Sequence, residues 1–90
     1  MHFGDVVVHK RVNMRHPDIS DKDVVYAWMH DVKSRRRPKT EPTQYAAVGF
    51  DPRGRLLEMC AIYNEGQSVF VVYHAMEATP KMLRELGLDH

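Results

Sequence analysis

Residues 43–76 contain three largely apolar segments, which two turn sequences separate. In strands, successive side chains point to opposite faces, so a sheet formed by these segments has two defined faces. Residues 51–54 place Asp, Pro and Gly at the positions that a type I turn favours. Residues 64–66 form a three-residue hairpin loop with Gly where a left-handed backbone is needed. The pattern therefore predicts a three-stranded antiparallel meander.

The two turns also predict a register, and the register predicts two faces of the sheet. We expect Phe50 to pair with Arg55 across the first turn, and Tyr63 to pair with Gln67 across the second. One face is then almost continuously apolar and consists of Ala46, Val48, Phe50, Leu57, Met59, Ala61, Tyr63, Val69, Val71 and Tyr73. The other face is apolar with polar exceptions and consists of Tyr45, Ala47, Gly49, Leu56, Glu58, Cys60, Ile62, Ser68, Phe70, Val72 and His74.

Three polar side chains of the second face are candidate catalytic residues, namely Tyr45, Glu58 and His74. RNA cleavage without a metal ion needs a base for the 2′-hydroxyl proton, cations for the phosphate and an acid for the leaving oxygen. His74 suits the acid–base role. Glu58, diagonal to His74 across the hairpin, could orient or charge its ring, and Tyr45 supplies a hydroxyl or a stacking surface. The alternative is a hydrogen-bonded polar cluster beneath a helix.

Helical periodicity is clearest over residues 18–33. Ser20 suits the N-cap, Asp23 completes a variant of the capping box, and Trp28 is the expected core anchor. At the other end of the chain, a short helix is predicted after the N-cap Thr79, and Gly87 is the expected stop.

The remaining segments give weaker signals. Residues 5–15 combine a β-branched Val run with helical spacing further on, and we favour a helix there. Residues 33–42 are polar, end in two prolines and predict an exposed loop. The predicted fold is α+β: N-terminal helices packed on a three- to four-stranded antiparallel meander with a short C-terminal helix. The strand at residues 69–76 is expected at the sheet edge, where it invites a partner strand or a homodimer.

Length and composition indicate one ordinary globular domain over residues 1–90, with 43% hydrophobic residues. The net charge is +1, but residues 1–40 hold nine Lys/Arg against five Asp/Glu, whereas residues 41–90 hold four against seven. Candidate phosphate contacts are Arg35, Arg36, Arg37, Arg53, Arg55, Lys81 and Arg84. The alternative is that these are solvated loop and helix surfaces.

Other functional classes are not indicated by the sequence. The single Cys60 excludes an internal disulfide framework, and a reducing cytoplasm is the expected compartment. No apolar run approaches the roughly 20 residues that span a bilayer. The histidines lack metal-ligand spacing, so neither a metal nor a cofactor is predicted.

Two segments carry a family resemblance. Val48-Gly49-Phe50-Asp51-Pro52-Arg53-Gly54-Arg55-Leu56-Leu57 is followed, after a strand, by His74-Ala75-Met76-Glu77-Ala78-Thr79. Together they resemble the BrnT-type toxins, which are similar to the wider RelE-like group of bacterial toxin–antitoxin ribonucleases. The resemblance implies a RelE-like fold, cleavage of RNA and silencing by a cognate antitoxin protein. The family tends to have two basic residues where this chain has Met76 and Glu77. That departure favours the alternative of a non-catalytic RNA- or protein-binding module of the same fold.

Overall fold

A five-stranded mixed sheet and three helices make up residues 5–89, the part of the chain that the computed structural model describes. The strands are Asp5–Val8 (β1), Asp31–Arg36 (β2), Gln44–Phe50 (β3), Leu56–Asn64 (β4) and Val69–Glu77 (β5). The helices are Arg11–Arg15 (α1), Asp21–Met29 (α2) and Pro80–Glu85 (α3). The strand order is β1-β5-β4-β3-β2, with β1 parallel to β5 and the other neighbours antiparallel. The α+β class and the β3–β4–β5 meander are therefore confirmed.

Two strands extend the meander beyond the predicted elements. β1 replaces the first part of the helix that we favoured over residues 5–15, because its Val run pairs with β5. β2 replaces part of the predicted 33–42 loop, and α2 ends at Met29 rather than at residue 33. Since β5 lies between β1 and β4, the expectation that residues 69–76 form a pairing edge is wrong. The edge strands of the described sheet are β1 and β2.

Helices α1 and α2 cover one face of the sheet. α2 begins at the predicted capping box, in which Ser20 and Asp23 exchange two 3.1 Å hydrogen bonds between side chain and backbone. Trp28 is 1% exposed and packs in the core below this helix, as predicted. The buried members of this core are Val12, Ile19, Val24, Ala27, Trp28, Ala47, Leu57, Met59, Ala61, Phe70, Val72 and Ala75.

Helix α3 covers the opposite face. Its N-cap is Thr79, whose hydroxyl accepts a hydrogen bond from the Met82 amide, as the sequence predicted. Gly87 adopts a φ of 72°, and the Leu88 amide donates to the Leu83 carbonyl, which completes the expected Schellman stop. The buried members of the core on this side are Ala46, Val48, Cys60, Met82 and Leu86.

The first hairpin is one residue longer than predicted, which changes the register. Phe50 pairs with Leu56 rather than with Arg55. The Asp51 carboxylate accepts hydrogen bonds from the amides of Arg53 and Arg55, and Gly54 adopts a φ of 86°. The extra turn residue shifts β4 by one position relative to β3. When the pairing of two strands shifts by one residue, the side chains of one strand move to the opposite face of the sheet relative to those of its neighbour. The predicted composition of the two faces is therefore wrong for β3 relative to β4.

The predicted composition is also wrong for the first half of β5, because the second hairpin pairs Tyr63 with Phe70 rather than with Gln67. Phe70 and Val72 lie in the same core as Leu57 and Met59. The second loop spans residues 65–68, and its left-handed residue is Ser68, with a φ of 54°, rather than Gly66.

Candidate functional site

His74 and Glu58 form a hydrogen-bonded pair on the α3 side of the sheet. His74 is in β5 and Glu58 is in the adjacent strand β4. Because His74 lies opposite Cys60, Glu58 is the diagonal neighbour of His74 on the same face. The distance from His74 Nε2 to Glu58 Oε2 is 2.8 Å. These two residues share a face and meet diagonally, as predicted, but the predicted register is wrong. Cys60 rather than Leu56 lies opposite His74, and the pairing shifts between Cys60 and Ala61.

Thr79 holds the other oxygen of the Glu58 carboxylate. Glu58 Oε1 accepts from the Thr79 amide at 2.8 Å and from the Thr79 hydroxyl at 2.6 Å. Burial of the carboxyl group raises the pKa of Glu58, but the hydrogen bonds from Thr79 and His74 together outweigh it, and the pKa lies below its ordinary value. Glu58 is therefore ionised at neutral pH and joins the start of α3 to His74.

The charge state of Glu58 determines which ring nitrogen of His74 carries the proton. An ionised carboxylate only accepts hydrogen bonds, so His74 Nε2 must carry the proton that they share. In the neutral ring, Nδ1 is then an unprotonated acceptor. Among residues 5–89 the structure assigns Nδ1 no hydrogen bond. The His74 side chain is 30% exposed, so solvent reaches the ring.

A pocket of about 160 Å³ opens beside this pair. Its lining combines the acid–base pair with three further charged side chains, and consists of Arg37, Glu58, Cys60, His74, Thr79, Lys81, Met82 and Glu85. Burial of the Cys60 thiol raises its pKa, so this side chain remains a neutral part of the wall.

Arg37 and Glu85 form a bidentate ion pair in the pocket wall. Arg37 Nε and Nη2 each lie 2.8 Å from a Glu85 carboxylate oxygen, and Nη1 donates to the Gln44 side chain at 3.0 Å. Hydrogen bonding to Glu85 raises the pKa of Arg37, and hydrogen bonding to Arg37 lowers the pKa of Glu85. This ion pair holds the residue that follows β2 against α3. Much of the Arg37 guanidinium is already hydrogen-bonded to Glu85 and Gln44.

Two further cations lie near the pocket. Lys81 is in its lining and is exposed on α3. The positive charges of Arg35 and Lys81 both contribute to the lowered pKa of Glu85, after the larger effect of Arg37, so both lie close to that carboxylate. Arg84 is exposed on α3 but is not in the pocket lining.

Tyr45 lies on the opposite face of the sheet, and the prediction that it shares a surface with Glu58 and His74 is wrong. The longer first turn places Tyr45 opposite Ala61, on the side covered by α1 and α2. Its ring packs edge-on against Phe70, with 5.2 Å between the ring centroids. Tyr45 lines a separate pocket of about 360 Å³, together with Arg36, Glu41, Pro42, Thr43, Tyr63 and Glu65.

The first turn contains Arg53 and Arg55, which both form ion pairs with nearby aspartates. Arg55 Nε is 2.7 Å from Asp51 Oδ2, and its Nη atoms are 3.1 Å from Asp18 and 3.3 Å from Asp23. Arg53 reaches Asp23 at 3.4 Å. These contacts fasten the turn to the start of α2, and neither arginine lines the pocket beside His74.

Sequence reasoning missed the partners that fix the site. Thr79 was predicted as an N-cap, but the same hydroxyl also donates to Glu58, which only the packing of α3 on the sheet reveals. The Arg37–Glu85 pair joins residues 48 positions apart and has no local signal. Within residues 5–89, no group of three or more His, Cys, Asp or Glu side chains is placed to hold a metal ion. The same part of the chain has no helix with both the length and the apolar character needed to cross a membrane.

No protein-family model, curated protein or solved structure matches this chain.

Proposed function

We propose that this chain is a toxin-like, metal-independent endoribonuclease that cleaves RNA in the pocket beside His74. The observation that carries the proposal is the 2.8 Å hydrogen bond between His74 Nε2 and Glu58, in a pocket whose lining also includes Lys81. An imidazole with an unprotonated ring nitrogen can act as a general base. A nearby ammonium favours the binding of a phosphate.

In the proposed reaction, His74 Nδ1 takes the proton of an RNA 2′-hydroxyl, and that oxygen attacks the adjacent phosphorus. The bond from phosphorus to the 5′-oxygen breaks, and a water molecule protonates the departing oxygen. The products are a 2′,3′-cyclic phosphate and a free 5′-hydroxyl. Glu58 acts as a positioning residue, since it holds Nε2–H and stabilises the imidazolium that forms.

Positive charge on the phosphate side comes from the rim of the pocket. Lys81 would meet the non-bridging phosphate oxygens in the transition state, where charge develops. Arg35 extends the positive rim toward β2 and suits a neighbouring phosphate of a single strand. Arg36 and Arg84 are exposed and remain candidates for more distant phosphates. Arg37 would contribute through the N–H groups that Glu85 and Gln44 leave open.

The biological setting is proposed from the sequence resemblance. A cognate antitoxin protein would bind the chain and silence it, the substrate would be RNA, and the site of action would be the cytoplasm. The charge of residues 1–40 supports contact with an anionic partner.

The decisive experiment compares RNA cleavage by the purified wild type and His74→Gln in EDTA. Glutamine can still donate a hydrogen bond to Glu58, but it cannot take up a proton. We expect cleavage to fall by about 10²-fold or more, which is the usual contribution of a general base. A substrate with 2′-deoxyribose at the cleaved nucleotide should resist the wild type.

His30→Gln is the matched control, because His30 is exposed at the end of α2 and is absent from the pocket lining. Its cleavage rate should equal that of the wild type. Equal rates for His74→Gln and the wild type, with both folded by circular dichroism, would remove His74 from the mechanism.

A non-catalytic RNA- or protein-binding module is the second candidate. It is favoured by the commitment of Glu58 and Arg37 to internal hydrogen bonds that also hold α3 against the sheet. A binding module predicts no cleavage by any variant and no growth arrest on expression in bacteria. A ribonuclease toxin predicts growth arrest by the wild type and relief by His74→Gln.

A further inference from the structure

Strand β2 ends the sheet on the side away from β1. In the described part of the chain it pairs with β3 alone. Edge strands present a row of unpaired backbone N–H and C=O groups to which another extended chain can bind. The outer side of β2 is therefore a candidate docking edge.

The hydrogen-bond pattern identifies which backbone groups face outward. The Arg37 amide donates to the Gln44 carbonyl at 2.8 Å, so the backbone at this position is directed toward β3. In an antiparallel pair the direction alternates with every residue. The amides and carbonyls of Ser34 and Arg36 therefore point away from β3, whereas those of Arg35 point toward it.

The side chains along this edge are cationic. Lys33 and Arg35 lie opposite Val48 and Ala46, and thus on the face that α3 covers. Arg36 lies opposite Tyr45 on the other face. Lys33, Arg35 and Arg36 are all exposed.

A second copy of this chain is a poor partner for the edge. In the regular part of β2, after the register irregularity between Asp31 and Lys33, the outward backbone groups belong to Ser34 and Arg36. A two-fold antiparallel pair of β2 strands must therefore match even positions with even positions. Odd positions then face odd positions. The centred registers oppose Lys33 with Lys33, Lys33 with Arg35 or Arg35 with Arg35. Like charges directly opposite each other destabilise a sheet.

We propose that β2 binds an extended segment of another protein that has acidic residues at alternate positions. The outward N–H and C=O groups require a polypeptide backbone, which hydrogen-bonds along a sheet edge. Acidic side chains at every second residue would then lie beside Lys33 and Arg35 on one face. This proposal does not involve His74, but it shares Arg35 with the proposed RNA cleavage, in which Arg35 contacts a phosphate.

A labelled ten-residue peptide that alternates Glu with Thr is the probe, and a peptide that alternates Lys with Thr is its control. Fluorescence anisotropy should detect binding of the acidic peptide alone. Hydrogen exchange followed by NMR should show new protection at the amides of Ser34 and Arg36. The Arg35 amide, which faces β3, should change little.

Three substitutions test the contributions of strand addition and of charge attraction. Ser34→Pro removes an amide that faces outward, a position where sheet edges accept proline. Ser34→Pro should weaken binding of the acidic peptide by about tenfold or more, whereas Ser34→Ala should bind this peptide like the wild type. Arg35→Glu should also weaken binding and leave the β2–β3 pairing intact.

Several results would overturn the proposal. They are absence of binding, equal binding of the two peptides, and equal binding by Ser34→Pro and Ser34→Ala. Protection at Arg35 without protection at Ser34 and Arg36 would contradict the assigned edge. A dimer in light scattering that Ser34→Pro dissociates would show that a second copy is the occupant. RNA binding that Ser34→Pro reduces would likewise identify a different partner.

Discussion

At the scale of single residues, the site depends on one carboxylate. Glu58 accepts two hydrogen bonds from Thr79 and one from His74, so it sets the imidazole tautomer and fixes the start of α3 at the same time. A neutral group would hold both partners less strongly, since hydrogen bonds to ionised acceptors are the stronger kind. The geometry of the proposed catalytic pair and the local stability are therefore linked through Glu58.

This linkage predicts a pH-dependent stability difference between the wild type and Glu58→Gln. The folded-state pKa of Glu58 is below its ordinary value of 4.5, so ionised Glu58 stabilises the fold above that pH. We expect Glu58→Gln to lower the free energy of unfolding by about 2 kcal/mol at pH 7.

The difference should shrink as the pH falls below 4.5 and through the lowered pKa, where the carboxylate gains a proton. Urea unfolding curves from pH 7 to pH 3 measure it. A difference that stays constant or grows toward pH 3 would show that the Glu58 charge does not stabilise the fold.

At the scale of elements, the first turn decides which residues meet. The Asp51 carboxylate accepts hydrogen bonds from two amides within the turn, and this turn is one residue longer than predicted. Glu58 and Tyr45 therefore lie on opposite faces. The turn residues were recognisable in the sequence, but the length of the loop was not. A turn of either length satisfies the same Asp, Pro and Gly preferences, and the choice depends on hydrogen bonds that pattern alone does not specify.

The elements that could be predicted are those with their own local signals. The capping box at Ser20, the N-cap at Thr79 and the apolar segments of β3, β4 and β5 between two turn sequences are such signals. β2 lacks a local signal, and the Val run of β1 competes with the helical spacing that follows it. β1 is only four residues long, and β2 is so rich in cations that it resembles a solvated loop. Both are strands because a neighbouring strand offers them hydrogen bonds, which is a tertiary cause.

Contact between elements gives a second prediction, at Gly49 in β3. A Cβ placed there would lie only 2.1 Å from the Ala27 carbonyl oxygen of α2, so the helix and sheet could not keep their present separation. We expect Gly49→Ala to destabilise the fold by about 2–3 kcal/mol, the cost of overpacking a core.

Gly66→Ala is the matched control, because its nearest new contact is an ordinary 3.5 Å to the Asn64 side chain. It should change the unfolding free energy by less than about 0.5 kcal/mol. Denaturant titration of the two variants compares them directly, and equal stabilities would contradict the close approach of α2 to β3.

At the scale of the whole molecule, the sheet separates the larger apolar core from the candidate site. The larger apolar core lies between the sheet and helices α1 and α2. The other face carries a smaller core beneath α3, and its margin holds His74, Glu58 and Lys81. The short helix α3 thus serves both as a lid on that core and as one wall of the pocket. β2 ends just before Arg37, which lines the pocket. A protein segment bound to the β2 edge would therefore approach the side of the molecule that holds the pocket.

Glu58, we infer, fixes the His74 ring with Nε2 protonated and Nδ1 unprotonated. NMR of the ¹⁵N-labelled imidazole measures this directly. We expect a resolved Nε2–H proton at neutral pH that disappears in Glu58→Ala, because the 2.8 Å hydrogen bond to Glu58 protects it from exchange with water. A proton found on Nδ1, or a ring proton that exchanges as freely in the wild type as in Glu58→Ala, would contradict it.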